Sequence, residues 1–488
     1  MSKRNKKDEP FTIIQHQLDN EVTGSCYLVE CDGEVILINY GSHQDNSLPL
    51  EKVYDINRQK IKIPLDKVTV SIYPEAHFDH IGIVGINGRK DIDYNGIGYA
   101  TEPTAEAMRY ILLDSSRIMQ SDCDKHNLYH KGKEQLRPLY NKDEVENAVA
   151  DIRCYGYEES IKLTSNLSFE FLPNGHLLGS GMVYMTYDDG KIIRRLLITS
   201  DYYYGDTPRP FTKSIINKCI KADVIVTEST YGNRYHSKEN PMDVLEKVIE
   251  EYVVGKNKIL FIPTFAMSRS SSLYYYLNDI FKKNKKISDA NIPVYFCGGL
   301  MDNLHTMYGK KQYDAYKDEQ WIGHEELFNG VCGFKSLAMK KDIDTFVLNG
   351  NSRKIVIASS GMISGGFSTM IAEKFVENNK VVMMCSGYVA EGTIAYEICR
   401  EDVQTVKINT ASKTKRLKVL PTLPNMSSHA DANGLVAFIK SCNQHVLKKV
   451  LICHGGEEER IALKESLEKE LNKKIEVKVF NQYDKVKF

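Results

Sequence analysis

The stretch SIYPEAHFDHIGIVG, residues 71–85, decides how the chain is read. Its first part continues the run VTVSIYP (68–74), whose β-branched and aromatic residues mark a buried strand. Its second part sets Glu75, His77, Asp79 and His80 close together and then passes through Gly82 into an apolar, helix-like run. Imidazole nitrogens and carboxylate oxygens are the ligand types of zinc and its first-row neighbours. Loops that leave the carboxyl ends of strands are where α/β folds carry such ligands. One loop is not enough, because zinc takes about four ligands per ion. More donors are therefore required at other strand ends, and they are present. His176 follows LSFEFLP (167–173), Asp201 closes RRLLITSD (194–201), and His454 follows KKVLIC. A lone histidine is more often a satisfied core or surface residue, so the metal reading rests on the recurrence at strand ends.

The bulk composition narrows the field. With 488 residues, 42% of them hydrophobic, the chain can build a large core, and at about 150 residues per domain it holds two or three domains. Lys plus Arg and Asp plus Glu are equal at 64 each, so any attraction to nucleic acid has to come from a local patch. The beginning, MSKRNKKDEP, is charged and has no apolar core segment, and no run approaches the roughly eighteen apolar residues of a membrane span. A cytoplasmic protein without a membrane partner is the expectation. Eleven cysteines at irregular spacing, with no CxxC pair, read as reduced core residues.

FTIIQHQL and CYLVECDGEVILIN, split by Gly24 and by the hairpin pair Asp32-Gly33, open the chain with antiparallel strands. Residues from about Thr104 to Ala150 read as helices, and strands return at 167–173, 182–187, 194–201 and 223–230. A helix-rich middle starts near Pro241, interrupted by KILFIPT and IPVYFC. The last part alternates KIVIASSG, VVMMCSGY, a helix near 433–440, KKVLICHG, a charged helix over 457–474 and KIEVKVF. The class is mixed α/β.

In this order the motifs become recognisable. E-x-H-x-D-H, a separate His, a separate Asp and a final His resemble the metallo-β-lactamase superfamily. VTESTYGNR (226–234), ASSGMISGG (358–366), GYVAEGT (387–393), SSHAD (427–431) and LICHG (451–455) resemble its β-CASP branch of nucleic-acid-processing nucleases, which includes RNase J and the endonuclease of the polyadenylation factor. The resemblance implies a four-layer αββα metallo-β-lactamase fold with an inserted α/β β-CASP domain. It implies a first metallo-β-lactamase part over residues 1–208, the β-CASP domain over 209–387 and a second metallo-β-lactamase part over 388–488, with the catalytic cleft at their junction. Position by position, it assigns Glu75, His77 and His176 to one ion and Asp79, His80 and His454 to another, with Asp201 bridging. The ions are two divalent metals, Zn first and Mn as the alternative. Asp79, Asp201, Glu228 and His429 are the implied catalytic residues, His429 as general acid or phosphate binder and Glu228 as the carboxylate that orients a metal-ligand histidine. Arg269, Ser427 and Ser428 are candidates for substrate binding; Arg269 reads equally as a structural ion pair, and Ser427 and Ser428 equally as helix caps.

Two departures stand out. Glu75 occupies the place of the family's first His, and Asn39 that of an early Asp. A carboxylate can replace an imidazole in a catalytic zinc site, and an amide at 39 is expected to donate to it. The TASKTKRLKV segment and Lys282, Lys283, Lys285 and Lys286 offer positive charge for phosphates or are solvated faces. The tyrosine cluster 202–204 is expected to line the cleft and the cluster 274–276 to be core. The function implied is hydrolysis of phosphodiester bonds in single-stranded RNA by a dinuclear ribonuclease that cuts internally. The alternatives are a 5′ exoribonuclease of RNase J type, an ester hydrolase, and a catalytically silent RNA-binding scaffold. A homodimer is also compatible.

Overall fold

The pair Asp32-Gly33 turns with φ of 50° and 87°, the left-handed conformation a two-residue hairpin demands, and so joins strands Tyr27–Cys31 and Glu34–Ile38. A computed structural model describes residues 9–45, 47–59, 63–130, 134–205, 209–215, 219–323 and 333–488. The charged beginning of the chain and the expected border at 208 lie outside them. The residues divide into two units: Met1–Tyr235 with Ala315–Asp318 and Ser428–Phe488, and His236–Asp314 with Glu319–Ser427.

In the first unit that hairpin belongs to a sheet of seven described strands, ordered Lys485–Lys487, Thr12–Gln15, Tyr27–Cys31, Glu34–Ile38, Val70–Ile72, Ile97–Ala100 and Arg153–Cys154. A second sheet runs Glu476–Val479, Lys449–Ile452, Val224–Thr227, Ile193–Ile198, Gly181–Asp188, Leu167–Pro173 and Ile161–Lys162. Ile13, Val29, Ile36, Ile38 and Ile72 of the first sheet share one apolar core with Phe169, Phe171, Val183, Leu196 and Val226 of the second. The alternation of side chains sends Leu197, Ile225, Val450 and Ile452 to the opposite face of the second sheet. There they pack on Leu435 and Phe438 of helix Ala432–Ser441 and on Leu463 and Leu467 of helix Glu457–Glu470. Leu28 and Leu37 point away from the shared core and are buried too, so the first sheet is covered on both faces.

The second unit has an all-parallel sheet of six described strands, ordered Lys335–Leu337, Val294–Cys297, Lys354–Ala358, Ile259–Pro263, Val381–Met383 and Lys418–Val419. Leu260, Ile262, Phe296, Ile355 and Ile357 face helices Pro241–Val248 and Arg269–Lys283, while Phe261, Cys297, Val356 and Met383 face helix Gly366–Phe375. A strand buried on both faces reads as a continuous apolar run, and KILFIPT and KIVIASSG are such runs. The mixed α/β expectation is met. Among the described residues no helix is long and apolar enough to cross a membrane.

Candidate metal centre

Strands Ile193–Ile198, Val224–Thr227 and Lys449–Ile452 are parallel neighbours, so their carboxyl ends share one edge of the second sheet. Asp201, Glu228 and His454 leave from that edge. Strand Leu167–Pro173 runs in the same direction, because two antiparallel pairings separate it from Ile193–Ile198, and it delivers His176. The 75–80 loop leaves the carboxyl end of strand Val70–Ile72 and is tied across by Gly181 N–H to Pro74 O at 2.9 Å. Asp79 and His80 then sit in the short helix Phe78–Ile81.

Several of these side chains are aimed by backbone that L-residues adopt reluctantly. Ser200 has φ of 50° and His454 of 49°, both in the left-handed region. Asn174 Nδ2 donates to Asp201 O at 2.7 Å, and its Oδ1 accepts from His176 N at 3.1 Å and Ser180 Oγ at 2.6 Å. One amide thus fixes both the His176 and the Asp201 loops.

Three groups of donors result, each with its ligand atoms within 4.8 Å of one another: Glu75, His77, His176 and Asp201; Asp79, His80, Asp201 and His454; and Asp201, Glu228 and His429. In the first, Glu75 Oε2 lies 3.0 Å from His77 Nδ1 and 3.4 Å from His176 Nε2. In the second, Asp201 places Oδ2 3.2 Å from His80 Nε2 and Oδ1 3.2 Å from His454 Nε2. Asp79 Oδ2 is 3.6 Å from His80 Nε2 and 3.7 Å from His454 Nε2. In the third, Glu228 holds His429, with Nδ1 3.0 Å from Oε2 and 3.2 Å from Oε1.

Burial and charge act together here. Burial opposes ionisation of Glu75, but His80 and His176 overcome it and hold its carboxyl well below the usual range. Burial likewise opposes charge on Asp201, and His454, His80 and His429 outweigh it. His176 is pushed down to about 4 by burial. It is therefore a neutral imidazole that donates Nδ1–H to Ser428 O at 2.8 Å and turns the lone pair of Nε2 into the cluster. Burial lowers His429, yet Glu228 and Asp201 raise it to about 10.

Comparison with known proteins places this geometry. Residues 271–398 match the family model of the Beta-Casp domain, and residues 417–479 match that of the Zn-dependent metallo-hydrolase RNA specificity domain. The chain belongs to the β-CASP family of the metallo-β-lactamase superfamily. It is similar to the RNase J-like protein of Methanocaldococcus jannaschii, 25% identical over 438 residues that cover 88% of this chain and 89% of the relative. It is also similar to the endoribonuclease ysh1 of Schizosaccharomyces pombe, 22% identical over 497 residues, 98% of this chain and 60% of that one. Among solved structures, a protein of unknown function from Enterococcus faecalis shares the fold with a TM-score of 0.53 at 12% identity, over 98% of this chain and 100% of that chain.

The donors fit the metals of a β-CASP protein. Glu75 and Asp201 are buried, Asp79 only partly exposed, and no Lys or Arg among the described residues pairs with them or with Glu228. Asp201 Oδ1 is buried, with His454 Nε2 beside it at 3.2 Å. Buried carboxylates that meet imidazoles and no Lys or Arg can hold a cation.

Other sequence expectations turn out differently. Asn39 does not serve Glu75: its Nδ2 donates to Ser25 Oγ at 2.9 Å, and Glu75 Oε1 takes its hydrogen bonds from Ser200 Oγ at 2.9 Å and Asp201 N at 3.2 Å. Tyr202 is fully buried, with its hydroxyl on Leu435 O, and lines no cleft for bases. Tyr274 and Tyr276 are core, as expected. Helix Ala432–Ser441 is capped by Asp431, whose carboxylate accepts from Gly434 N, not by Ser427 or Ser428. Arg269 and Ser427 belong to the second unit, where the Arg269 guanidinium lies 4.7 Å over the Phe265 ring. Lys283 pairs with Asp279 at 2.8 Å and Lys286 with Glu250 at 3.6 Å, so part of the expected phosphate patch is internally neutralised. Ser200 and Gln17, whose Nε2 is 3.1 Å from His454 Nδ1, were not singled out by sequence reasoning, since neither carries a metal-ligand side chain or a motif position.

Proposed function

We propose that this protein is a metal-dependent ribonuclease that cuts single-stranded RNA internally in the cytoplasm, with Zn²⁺ as its first metal and Mn²⁺ as the alternative. The observation that carries the reading is Asp201, whose two oxygens face the donors of both four-residue groups. The names of the relatives, an RNase J-like protein and an endoribonuclease, support RNA as the substrate. Glu75, His77, His176 and Asp201 would hold one ion, and Asp79, His80, His454 and Asp201 the other. Two divalent ions, when bound, acidify water and neutralise phosphoryl charge.

The chain's own residues do the rest. Glu228 is fixed by Tyr202 N–H on Oε1 at 2.7 Å and accepts Nδ1–H of His429. That contact leaves His429 Nε2–H as the proton offered to the leaving oxygen of the cleaved bond. Burial of the cluster excludes water and strengthens each of these interactions.

The test uses internally labelled and 5′-labelled single-stranded RNA with Zn²⁺ or Mn²⁺. Wild type is expected to give internal fragments, and His77→Ala and Asp201→Asn to give none. Mononucleotides released only from the 5′ end would replace the internal mode by an exonuclease. Intact RNA with metal bound would overturn the ribonuclease reading.

A further inference from the structure

The histidines that turn Nε2 into the centre differ in what their other nitrogen meets. His176 donates Nδ1–H to Ser428 O at 2.8 Å, whereas His454 Nδ1 faces a donor, the amide nitrogen Nε2 of Gln17, at 3.1 Å. For His80 the partner is unusual. Its Nε2 belongs to the group of Asp79, Asp201 and His454, while its Nδ1 faces back to Glu75 Oε1 at 3.4 Å, with Ser200 Oγ also at 3.4 Å. The other oxygen of the same carboxylate, Oε2, is the one that faces His77 and His176. Ser200 Oγ–H and Asp201 N–H both donate to Oε1, so the carboxylate cannot rotate without losing two hydrogen bonds.

We propose that Glu75 couples the two ion sites: Oε2 is a ligand of the first ion, while Oε1 positions His80, a ligand of the second. The inference rests on the metal-centre reading above and concerns only this chain's departure from an imidazole at position 75. An imidazole that ligates through one nitrogen carries N–H on the other and cannot accept a proton from His80 Nδ1. A carboxylate has about four lone-pair sites, so one oxygen can ligate while the other accepts. Partners that orient a ligand histidine are worth about 10–100-fold in metal affinity. Glu75 is thus a ligand for one ion and a positioning residue for the other.

The experiment titrates Co²⁺ into metal-free protein and reads ligand-field absorption together with bound metal by mass spectrometry. RNA is left out of the assay. Wild type is expected to bind two ions. His77→Ala, which removes a donor of the first site without touching His80, should weaken one ion and leave the other at its wild-type affinity. Glu75→His, which restores a ligand to the first site, should leave one ion close to wild type and weaken the other about 10–100-fold with an altered spectrum. Glu75→Gln keeps the shape and so guards against loss of fold; its oxygen stays where Ser200 Oγ–H and Asp201 N–H donate, its NH2 turns to the first site, and it should weaken the first ion while leaving the second at its wild-type affinity. If Glu75→His binds the second ion as wild type does, the coupling is overturned while the metal centre stands. If wild type binds no ion, both fall.

Discussion

Glu228 and His429 form a closed pair: Nδ1 of the imidazole lies within 3.2 Å of both carboxylate oxygens, and the carboxylate is pinned by Tyr202 N–H at 2.7 Å. Neither residue belongs to the two four-donor groups, so the pair is separable from metal binding. Glu228→Gln is therefore expected to keep the metal content and to lose about 10²–10⁴-fold in cleavage rate near neutral pH.

The same variant makes a pH prediction. His429 stands at about 10 because Glu228 and Asp201 outweigh the effect of burial. As a proton donor it is active below its pKa and lost as pH rises through it. Removing the Glu228 charge lowers that pKa, so the alkaline limb of the rate profile should move to lower pH in Glu228→Gln. A profile whose alkaline limb does not move would remove His429 from the acid role.

Gly41 ties the metal loop to the sheet. A Cβ built on it would lie 1.7 Å from Asp79 O, a backbone atom that already accepts from Ser25 N at 2.8 Å. No side-chain rotation relieves that clash. Gly41→Ala is expected to destabilise the protein by about 3 kcal/mol or more and to lower its metal content, measured by denaturant midpoint and metal analysis. Gly365, which has open space around its Cβ and extended backbone, is the control, and Gly365→Ala should stay within about 0.5 kcal/mol.

What the sequence made legible follows from which forces are local. Strand runs such as KILFIPT and the Asp32-Gly33 turn carry their conformation in their own residues, and the donors at 75–80, 176, 201 and 454 announce themselves by type and by position after strands. The partners of those donors do not. Ser200 reaches Glu75 across 125 positions and Gln17 reaches His454 across 437, contacts set by tertiary packing alone. Asn39 failed as a partner of Glu75 for the same reason: its side chain is claimed by Ser25, a neighbour that only the sheet brings near.

The second unit holds a pH-sensitive group of its own. His305, in helix Gly299–Tyr308, is packed between Tyr274 and Phe296 with Nε2 3.0 Å from Ser270 Oγ, and burial pushes it down to about 3. The unfolded chain takes up this proton near pH 6.5, the folded one only near 3. Its contribution is therefore intact above about pH 6.5 and declines as pH falls towards 3. Between pH 7 and pH 5 the loss is about 2 kcal/mol. His305→Gln should flatten that part of the stability curve in denaturant titrations at the two pH values. An unchanged slope would assign the acid sensitivity to other groups.

Asn174 offers a test of how the centre is assembled. Its amide makes three contacts with two loops: a donor to Asp201 O, and an acceptor for His176 N and for Ser180 Oγ. Asn174→Ala removes the partner of Asp201 O and of His176 N, at a net cost of about 1–3 kcal/mol for each group left unsatisfied, while Ser180 Oγ keeps Leu177 O at 3.0 Å. Asn174→Asp keeps the acceptor but loses the donor to Asp201 O and adds a negative charge beside a cluster already rich in carboxylates. Both variants should lower stability, and Asn174→Ala should also weaken metal binding, because His176 and Asp201 lose their common tie. The two effects are read separately, by denaturant midpoint and by metal titration. If metal affinity is untouched while stability falls, each loop is held by its own strand and Asn174 only stitches the turn.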